Sequence, residues 1–353
     1  MNREIACKTR LLHRLPAAFV TAAAIVLLAA VPFASRANAQ ITVKMATMVP
    51  EGSSWHLILK EAADKWKKVS NGRVSLTIYA GGVAGDDTDV VRKMRLGTLH
   101  AGVLTSVGVA EIDQSVYALS VPMMFASYEE VYAVLEKMRP RLESSMEKQG
   151  FMVLNWVDGG WIRYFTQKPV ATPDDLKKLK LFSWAGDADT IDLMKAAGFN
   201  PVPLPATEIA TALQTGLVNA VPTSPQVAVL TQYYNYAKNM TDLDWEMLLG
   251  ATLIDKRMWD RIPADLRAPL LAVMQEAGKK LQTEIRQGGQ RDIEAMKKRG
   301  LNVVQVDAKA REAWLKVAES VYPRIRGKIV PADAFDEALK FRDEYRKRTG
   351  VAK

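Results

Sequence analysis

The stretch ITVKMATMVPEGSSWHLILKEAADKWKKVSNGRVSLTIYAGG, residues 41–82, decides the fold. Ile41, Val43 and Met45 alternate with polar neighbours, as one face of a half-buried strand does. The segment VPEGSSWH then supplies Pro, Gly and two serines, either of which can cap a helix running from Trp55 to about Ser70. Asn71-Gly72 ends that helix, and Val74, Leu76 and Ile78 restore the two-residue period. Strand, helix, strand is a βαβ unit, and a βαβ unit predicts a parallel sheet.

The pattern repeats downstream. A helix over DDTDVVRKMRLG and a strand over LHAGVLTS precede a helix from about Tyr128 to Gly150 and a strand over FMVLNW. A second set follows: TPDDLKKL with Pro173 near its first helical position, the strand KLFSWA, the helices ADTIDLMKAAG and ATEIATALQTG, and the strand region LVNAVPTS. LLGATLI around Gly250 reads as a further strand. Pro263 opens a long amphipathic helix whose pattern runs to Gly289 and resumes to Arg299; at 1.5 Å per residue it spans roughly 40 Å or more, enough to touch two domains. Residues 307–350 read as helices on both sides of KIVPADAF.

The N-terminus reads as an export signal. Arg3, Lys8, Arg10 and Arg14 precede the apolar run AAFVTAAAIVLLAAVPF, and Ala37-Asn38-Ala39 is a small-residue cleavage site, so cleavage is expected after Ala39, with the mature chain in the periplasm. The chain is +9 over 353 residues; residues 1–39 carry five bases and one acid, which leaves +5. No run of like charge and no interleaving of aromatics with Arg or Lys supports a nucleic-acid surface. Cys7 is the only cysteine and falls inside the signal, so neither a disulfide framework nor a thiolate metal site is expected beyond it.

Catalytic signatures are missing. His56 and His100 belong to no close-spaced ligand or acid–base motif, and G-x-S-x-G, the P-loop, G-x-G-x-x-G and CxxC do not occur. The sequence therefore offers no catalytic constellation, no metal-ligand motif and no cofactor motif, and a metal ion accompanying a ligand stays open. Asp86-Asp87 and Asp174-Asp175 suit helix N-termini, where negative charge favours the macrodipole. Trp156, Trp161, Trp184 and Trp245 sit near predicted strand ends, where open α/β sheets bind ligands, although each also suits the core. Arg163, in GGWIRYFT, is either a solvated strand residue or a guanidinium clamping a carboxylate through two parallel hydrogen bonds.

Five segments together carry a family resemblance: SNGRVSLTIYAGGVAGDD (70–87), VRKMRLGTLHAG after it, VPMMFASYEEV (121–131), GWIRYFTQKPVATPDDLKKLKL (160–181) and PLPATEIATALQTGLVNA (203–220). In order and spacing, over roughly residues 41–345, the chain resembles the DctP-type periplasmic solute receptors of TRAP transporters. The resemblance implies an α/β, two-domain periplasmic-binding-protein-like fold, with a long helix spanning both domains and a ligand cleft between them. Domain I would hold residues 40–160 plus about 249–288, and domain II residues 161–248 plus about 289–353. It also implies closure of the cleft on an anionic organic ligand, and delivery to the small and large membrane subunits of a permease driven by a sodium gradient. Cleft closure follows when a ligand binds both lobes and so favours the closed state.

Residue by residue, Arg163 resembles the arginine of the family's G-x-R-x-x-T pattern, with one extra residue after Gly160, and Thr166 keeps the threonine. Asp87 matches an acidic position after a Gly-Asp turn, and Thr105 a polar position at a strand end facing the cleft. The arginine that ends the family's LKGLKIR would fall at Phe182, and Thr223 stands where D-G-x-E-N-P has its ligand-reaching asparagine. Losing the charged clamp would weaken carboxylate binding by roughly ten- to a hundredfold. The expectation is therefore that Arg163 alone holds a monocarboxylate while Phe182, Trp184 and Trp161 enclose its hydrophobic or aromatic body. Phe182 pointing into the core is the alternative. A receptor for an ABC importer or a sensor kinase, or an exported enzyme, stays open at this level.

Overall fold

The computed structural model describes residues 40–350; the expected signal, its cleavage site and Cys7 lie outside the described residues. β1 (Ile41–Thr47), α1 (Ser54–Val69) and β2 (Val74–Tyr79) form the expected unit, and β1 pairs in parallel with β2. The Ser53 hydroxyl accepts the His56 N–H and caps α1. Asn71 and Gly72 both take positive φ where the helix ends, a conformation that glycine adopts without a Cβ penalty. α1 is pinned from behind by Trp66, fully buried, whose indole N–H donates to the Leu270 carbonyl at 3.0 Å.

α2 (Asp87–Arg95) leads into β3 (Ala101–Thr105), parallel to β1 on its other side. α3 (Ser106–Ala110) and α4 (Tyr128–Lys148) follow, then β4 (Phe151–Thr166). The second set comprises α5 (Pro173–Leu176), β5 (Lys180–Trp184), α6 (Ala188–Ala196), β6 (Asn200–Leu204), α7 (Ile209–Thr215), β7 (Ala220–Thr223) and α8 (Pro225–Leu230). Short β8 (Asn239–Thr241) precedes β9 (Glu246–Asp255) and α9 (Lys256–Arg261). α10 (Ala264–Lys297), β10 (Asn302–Val304), α11 (Ala308–Arg324) and α12 (Ala332–Thr349) complete the chain.

The strands run in the order β2-β1-β3-β9-β4-β7-β5-β6, with β8 beside the end of β4 and β10 beside β8. The sheet is mixed, which departs from the purely parallel expectation: β9 enters antiparallel between β3 and β4, and β7 is antiparallel to β4. A helical crossover before a strand does not say which neighbour the strand will choose, and β9 chose partners from two earlier segments.

β4 is the other departure. A short strand over FMVLNW was expected to close one domain, yet β4 runs for 16 residues and passes through the expected boundary. It pairs with β9 up to Ile162 and with β7 from Arg163 onward. The change of partner follows a bulge at Asp158-Gly159-Gly160, where β4 has one residue more than β9. Gly160 takes φ +89° there, which calls for glycine, and a Cβ at Gly159 would lie 2.6 Å from the Leu248 side chain and displace it. Asp158 holds the bulge: its carboxylate accepts the Gly160 N–H, the Tyr132 hydroxyl at 2.6 Å and both terminal nitrogens of Arg286, each at 3.0 Å.

Arg286 projects from α10, which is one uninterrupted helix of 34 residues and does not pause at Gly289 as its pattern suggested. Gly288 is buried on its inner face near the Gln226 side chain, and Gln226 donates to the Ile285 carbonyl at 2.8 Å. Close approach of α8 therefore explains the small residue without a break in the helix. At the C-terminal end, fully buried Trp314 of α11 stacks on Tyr164 at 5.4 Å and donates to the Ala171 carbonyl.

Arg286→Met leaves the Asp158 carboxylate buried with only the Tyr132 hydroxyl and the Gly160 N–H and no countercharge, and we expect it to cost about 3–5 kcal/mol in urea unfolding. Combining it with Asp158→Asn should cost less than the sum of the two single changes, because the remaining group no longer carries a charge.

Candidate functional site

Behind the bulge lies a cavity of about 350 Å³. Strand ends from both halves of the sheet open onto it: Thr47 of β1 and Thr105 of β3 on one side, Trp184 of β5 and Thr223 of β7 on the other. Ile162 and Tyr164 of β4 and Leu281 and Ile285 of α10 close the back. Most of the wall is aliphatic or aromatic, including Met48, Trp55, Tyr117, Phe199, Tyr233 and Trp245. Such a surface offers large apolar area and flat faces to a ligand body.

Phe182 and Trp184 both border the cavity, on the same face of β5, with ring centroids 5.9 Å apart and the planes near edge-on. Phe182 is only 2% exposed and packs with Phe165, Ile209 and Val221, while Trp184 is half-buried. The two alternatives for Phe182 are thus met together: its ring belongs to the core, and it is the floor on which the more accessible Trp184 rests. Thr223 borders the cavity and is buried.

Asp87 and Thr105 also border it, but they face each other. The Asp87 carboxylate accepts both the backbone N–H and the hydroxyl of Thr105, each at 2.7 Å. Burial pushes the Asp87 carboxyl up to about 6, against the opposing pull of these Thr105 hydrogen bonds. The pair fixes the end of β3 in place.

Two expected ligand residues are elsewhere. Trp161 is buried against Tyr128, ring centroids 5.7 Å apart, and does not border the cavity. Arg163 does not border it either: Nη1 donates to Asp242 at 2.5 Å and Nε to Asp244 at 2.9 Å. Ile162 and Tyr164 turn to the cavity, so alternation sends Arg163 the other way. The bulge just before this stretch sets that facing, because one extra residue in a strand exchanges the faces of everything that follows it. The carboxylate clamp expected at Arg163 is therefore a clamp on the protein's own carboxylates.

No Lys, Arg or His borders the cavity among the described residues; four acids do, Asp87, Asp158, Asp187 and Glu246. Asp158 is held by Arg286 and Tyr132, and Asp87 by Thr105. Asp187 accepts the Tyr117 hydroxyl at 3.0 Å and the Thr190 N–H at 3.1 Å, capping α6. Glu246, at the start of β9 and opposite Ile162, has no hydrogen-bond or ion-pair partner within the structure among the described residues. Burial, with the neighbouring Asp187 charge adding to it, pushes its carboxyl up to about 8. Sequence reasoning missed Glu246 because DLDWEMLL presents it as one acid among several near a turn, with nothing to show which face it takes.

Arg163→Ala is expected to lower stability by about 1 kcal/mol, since Asp242 and Asp244 stay partly exposed, and to leave ligand affinity within roughly twofold in titrations. Glu246 carries a pH signature. Its folded-state carboxyl titrates near 8 and its unfolded one near the ordinary 4.5, so between those values the unfolded chain has lost a proton that the folded one keeps. Stability contributed by the neutral form is complete below 4.5 and drains away as pH rises to 8. Glu246→Gln should remove that loss, matching the parent at pH 4 and exceeding it by roughly 2–4 kcal/mol at pH 8 in denaturant titrations.

The family model for bacterial extracellular solute-binding proteins, family 7 (DctP), matches residues 45–328. The 2,3-diketo-L-gulonate-binding periplasmic protein YiaO of Escherichia coli K12 is 26% identical over 262 residues, 73% of this chain and 79% of its own length. The C4-dicarboxylate-binding periplasmic protein DctP of Rhodobacter capsulatus is 26% identical over 268 residues, covering 74% of this chain and 80% of its own. Among solved structures, the sugar acid binding protein of Advenella mimigardefordensis in complex with galactonate superposes with a TM-score of 0.81 at 17% identity, over 86% of this chain and 98% of that one. A TRAP periplasmic solute binding protein from Ralstonia eutropha H16 with bound (S)-2-acetolactate gives 0.80 at 21%, over 86% and 99%. At such identities the superpositions show the fold, two domains about a ligand cleft, and the family match shows descent. The chain belongs to the DctP family of TRAP-type extracellular solute-binding proteins, which are transport receptors and not enzymes.

Proposed function

We propose that this chain is a periplasmic receptor that encloses a small organic acid with a hydrophobic or aromatic body and delivers it to the small and large membrane subunits of a TRAP transporter. The single observation that carries this reading is the aromatic and aliphatic wall of the cavity between the two halves of the sheet. Trp184, Phe182 and Thr223 from one side, and Asp87 and Thr105 from the other, are the residues we assign to the site.

The lobes we assign are residues 40–160 with about 249–288, and 161–248 with about 289–353, the first 39 residues being removed on export. β4 and β9 then run between the lobes, so these two strands carry the change of φ and ψ as the cleft closes. No described helix is long and apolar enough to cross a membrane.

The named relatives and neighbours bind sugar acids, keto acids or dicarboxylates. The apolar half of the monocarboxylate expectation is the half this cavity supports. Its anionic half has no basic partner in the wall, and a carboxylate taken from water without one carries a heavy desolvation cost. Recognition here rests on the body of the ligand more than on a charged clamp.

Residues 40–353 titrated with aromatic and aliphatic compounds, followed by tryptophan fluorescence and thermal unfolding, should show saturable binding, and a ligand at a hundredfold excess over its Kd should add about 2.7 kcal/mol. Trp184→Ala should weaken that binding at least tenfold with little loss of stability, since Trp184 is half-buried. Tight binding of succinate or malate that ignores Trp184→Ala would defeat the proposal.

A further inference from the structure

Glu246 and Asp187 act on one another in a cavity wall that holds no base among the described residues. Asp187 has donors of its own: the Tyr117 hydroxyl at 3.0 Å, the Thr190 N–H at 3.1 Å and the N-terminus of α6, which it caps. Glu246 has no donor among the described residues. It is paired with Ile162 across β4 and β9, and cross-strand partners share a face of the sheet, so it takes the cavity side together with Ile162. There it is half-buried, within reach of a ligand. Two carboxyls set close together in a low-dielectric wall do not ionise together, and the one without donors keeps its proton. Burial, with the Asp187 charge adding to it, holds Glu246 up to about 8, so at neutral pH the wall offers an acid O–H with no acceptor.

We propose that Glu246, as a neutral carboxylic acid, receives the carboxylate of the ligand by donating its O–H, so that the two carboxyls share one proton. The inference rests on the receptor reading above and names how the head of its organic acid is held. A donor that needs no positive charge then stands in a wall where the family resemblance leads one to expect an arginine.

A carboxylate entering an apolar cavity needs a donor, because an unpaired one there is costly. The other acids of the wall are occupied as acceptors: Asp158 by Arg286 and Tyr132, Asp87 by Thr105, Asp187 by Tyr117 and Thr190. An O–H donated to an ionised oxygen makes one of the stronger hydrogen bonds. The incoming charge also makes Glu246 hold its proton more tightly, as a like charge in a shared site does. The sign of the pH dependence follows. Affinity is full while Glu246 is protonated in the empty cavity and falls as pH rises through its titration near 8, where the shared proton must be drawn from solvent. The titratable groups bearing on Glu246 are Asp187 at the start of α6, Tyr117 in the segment after α3 and Tyr164 of β4. Burial pushes both tyrosine hydroxyls well above the ordinary 10, so neither supplies a step near 8.

The test uses residues 40–353 and two probes with one body, 4-phenylbutyrate and 4-phenylbutanol. Calorimetric titration from pH 6.5 to 9.5, in pairs of buffers with different ionisation heats, measures affinity and proton uptake together. We expect butyrate affinity to hold steady up to pH 7 and to fall by roughly tenfold or more by pH 9.5, with net proton uptake appearing above pH 8. The alcohol's affinity should stay within about twofold over the same range. Glu246→Gln, whose amide donates but does not ionise, should flatten the butyrate profile to within about twofold and abolish the uptake. A butyrate affinity that ignores pH, or a fall that persists in Glu246→Gln or appears equally with the alcohol, overturns the shared proton and leaves the receptor standing. Affinity that rises with pH overturns it in favour of an ionised Glu246. Binding of the alcohol without the butyrate overturns the organic-acid reading above, and failure of both overturns its apolar half as well.

Discussion

One ion pair, the buried Asp158 with the half-buried Arg286, sits where the two halves of the sheet meet. β4 is the strand that both halves of the sheet share, and its bulge is the point at which its partner changes from β9 to β7. A bulge so placed would be free to flex unless something held it. The Asp158 carboxylate holds it by accepting the Gly160 N–H, the Tyr132 hydroxyl and two nitrogens of Arg286, and so ties strand, α4 and the long helix α10 together. Arg286 in turn lies over the Tyr128 ring at 3.6 Å. The Asp158 charge is fully buried and that of Arg286 partly so, which costs solvation, and the bidentate geometry with two further donors is what makes the arrangement stable.

The same bulge governs the chemistry of the cavity. By setting which residues of β4 face inward, it gives Ile162 and Tyr164 to the cavity wall and sends Arg163 to Asp242 and Asp244. β9, paired across Ile162, contributes Glu246 instead. A site that in the family resemblance was to be read by arginine is thus lined by acids and aromatics. Strand register, not overall fold, made that exchange, and fold alone carries no information about it.

Much of the architecture was legible along the chain. The strand–helix–strand unit of residues 41–82, the order of the later helices and the start of α10 at Pro263 were readable because each rests on local rules: alternation, caps and turn residues. The length of β4 was not, because Gly159-Gly160 looks like a terminator when it is a bulge. Nor was the antiparallel entry of β9, since a strand's own residues do not name its neighbours. Gly288-Gly289 misled in the same way, as a break in pattern that proved to be room for Gln226.

For the site, the sequence by itself determined the family, the loss of an arginine at Phe182 and the wealth of aromatics at strand ends, since residue identity and spacing are enough for those. Only the tertiary structure decided which side chains share a cavity. Phe182 and Trp184 entered it as their spacing in a strand allowed, whereas Trp161 and Arg163 were turned away by one extra residue in β4, and Glu246 was turned in. Facing is set by pairing register across strands far apart in sequence, and a single residue of slip inverts it. That long-range constraint has no local signature, which is why the charge of this cavity could be read only from the folded chain.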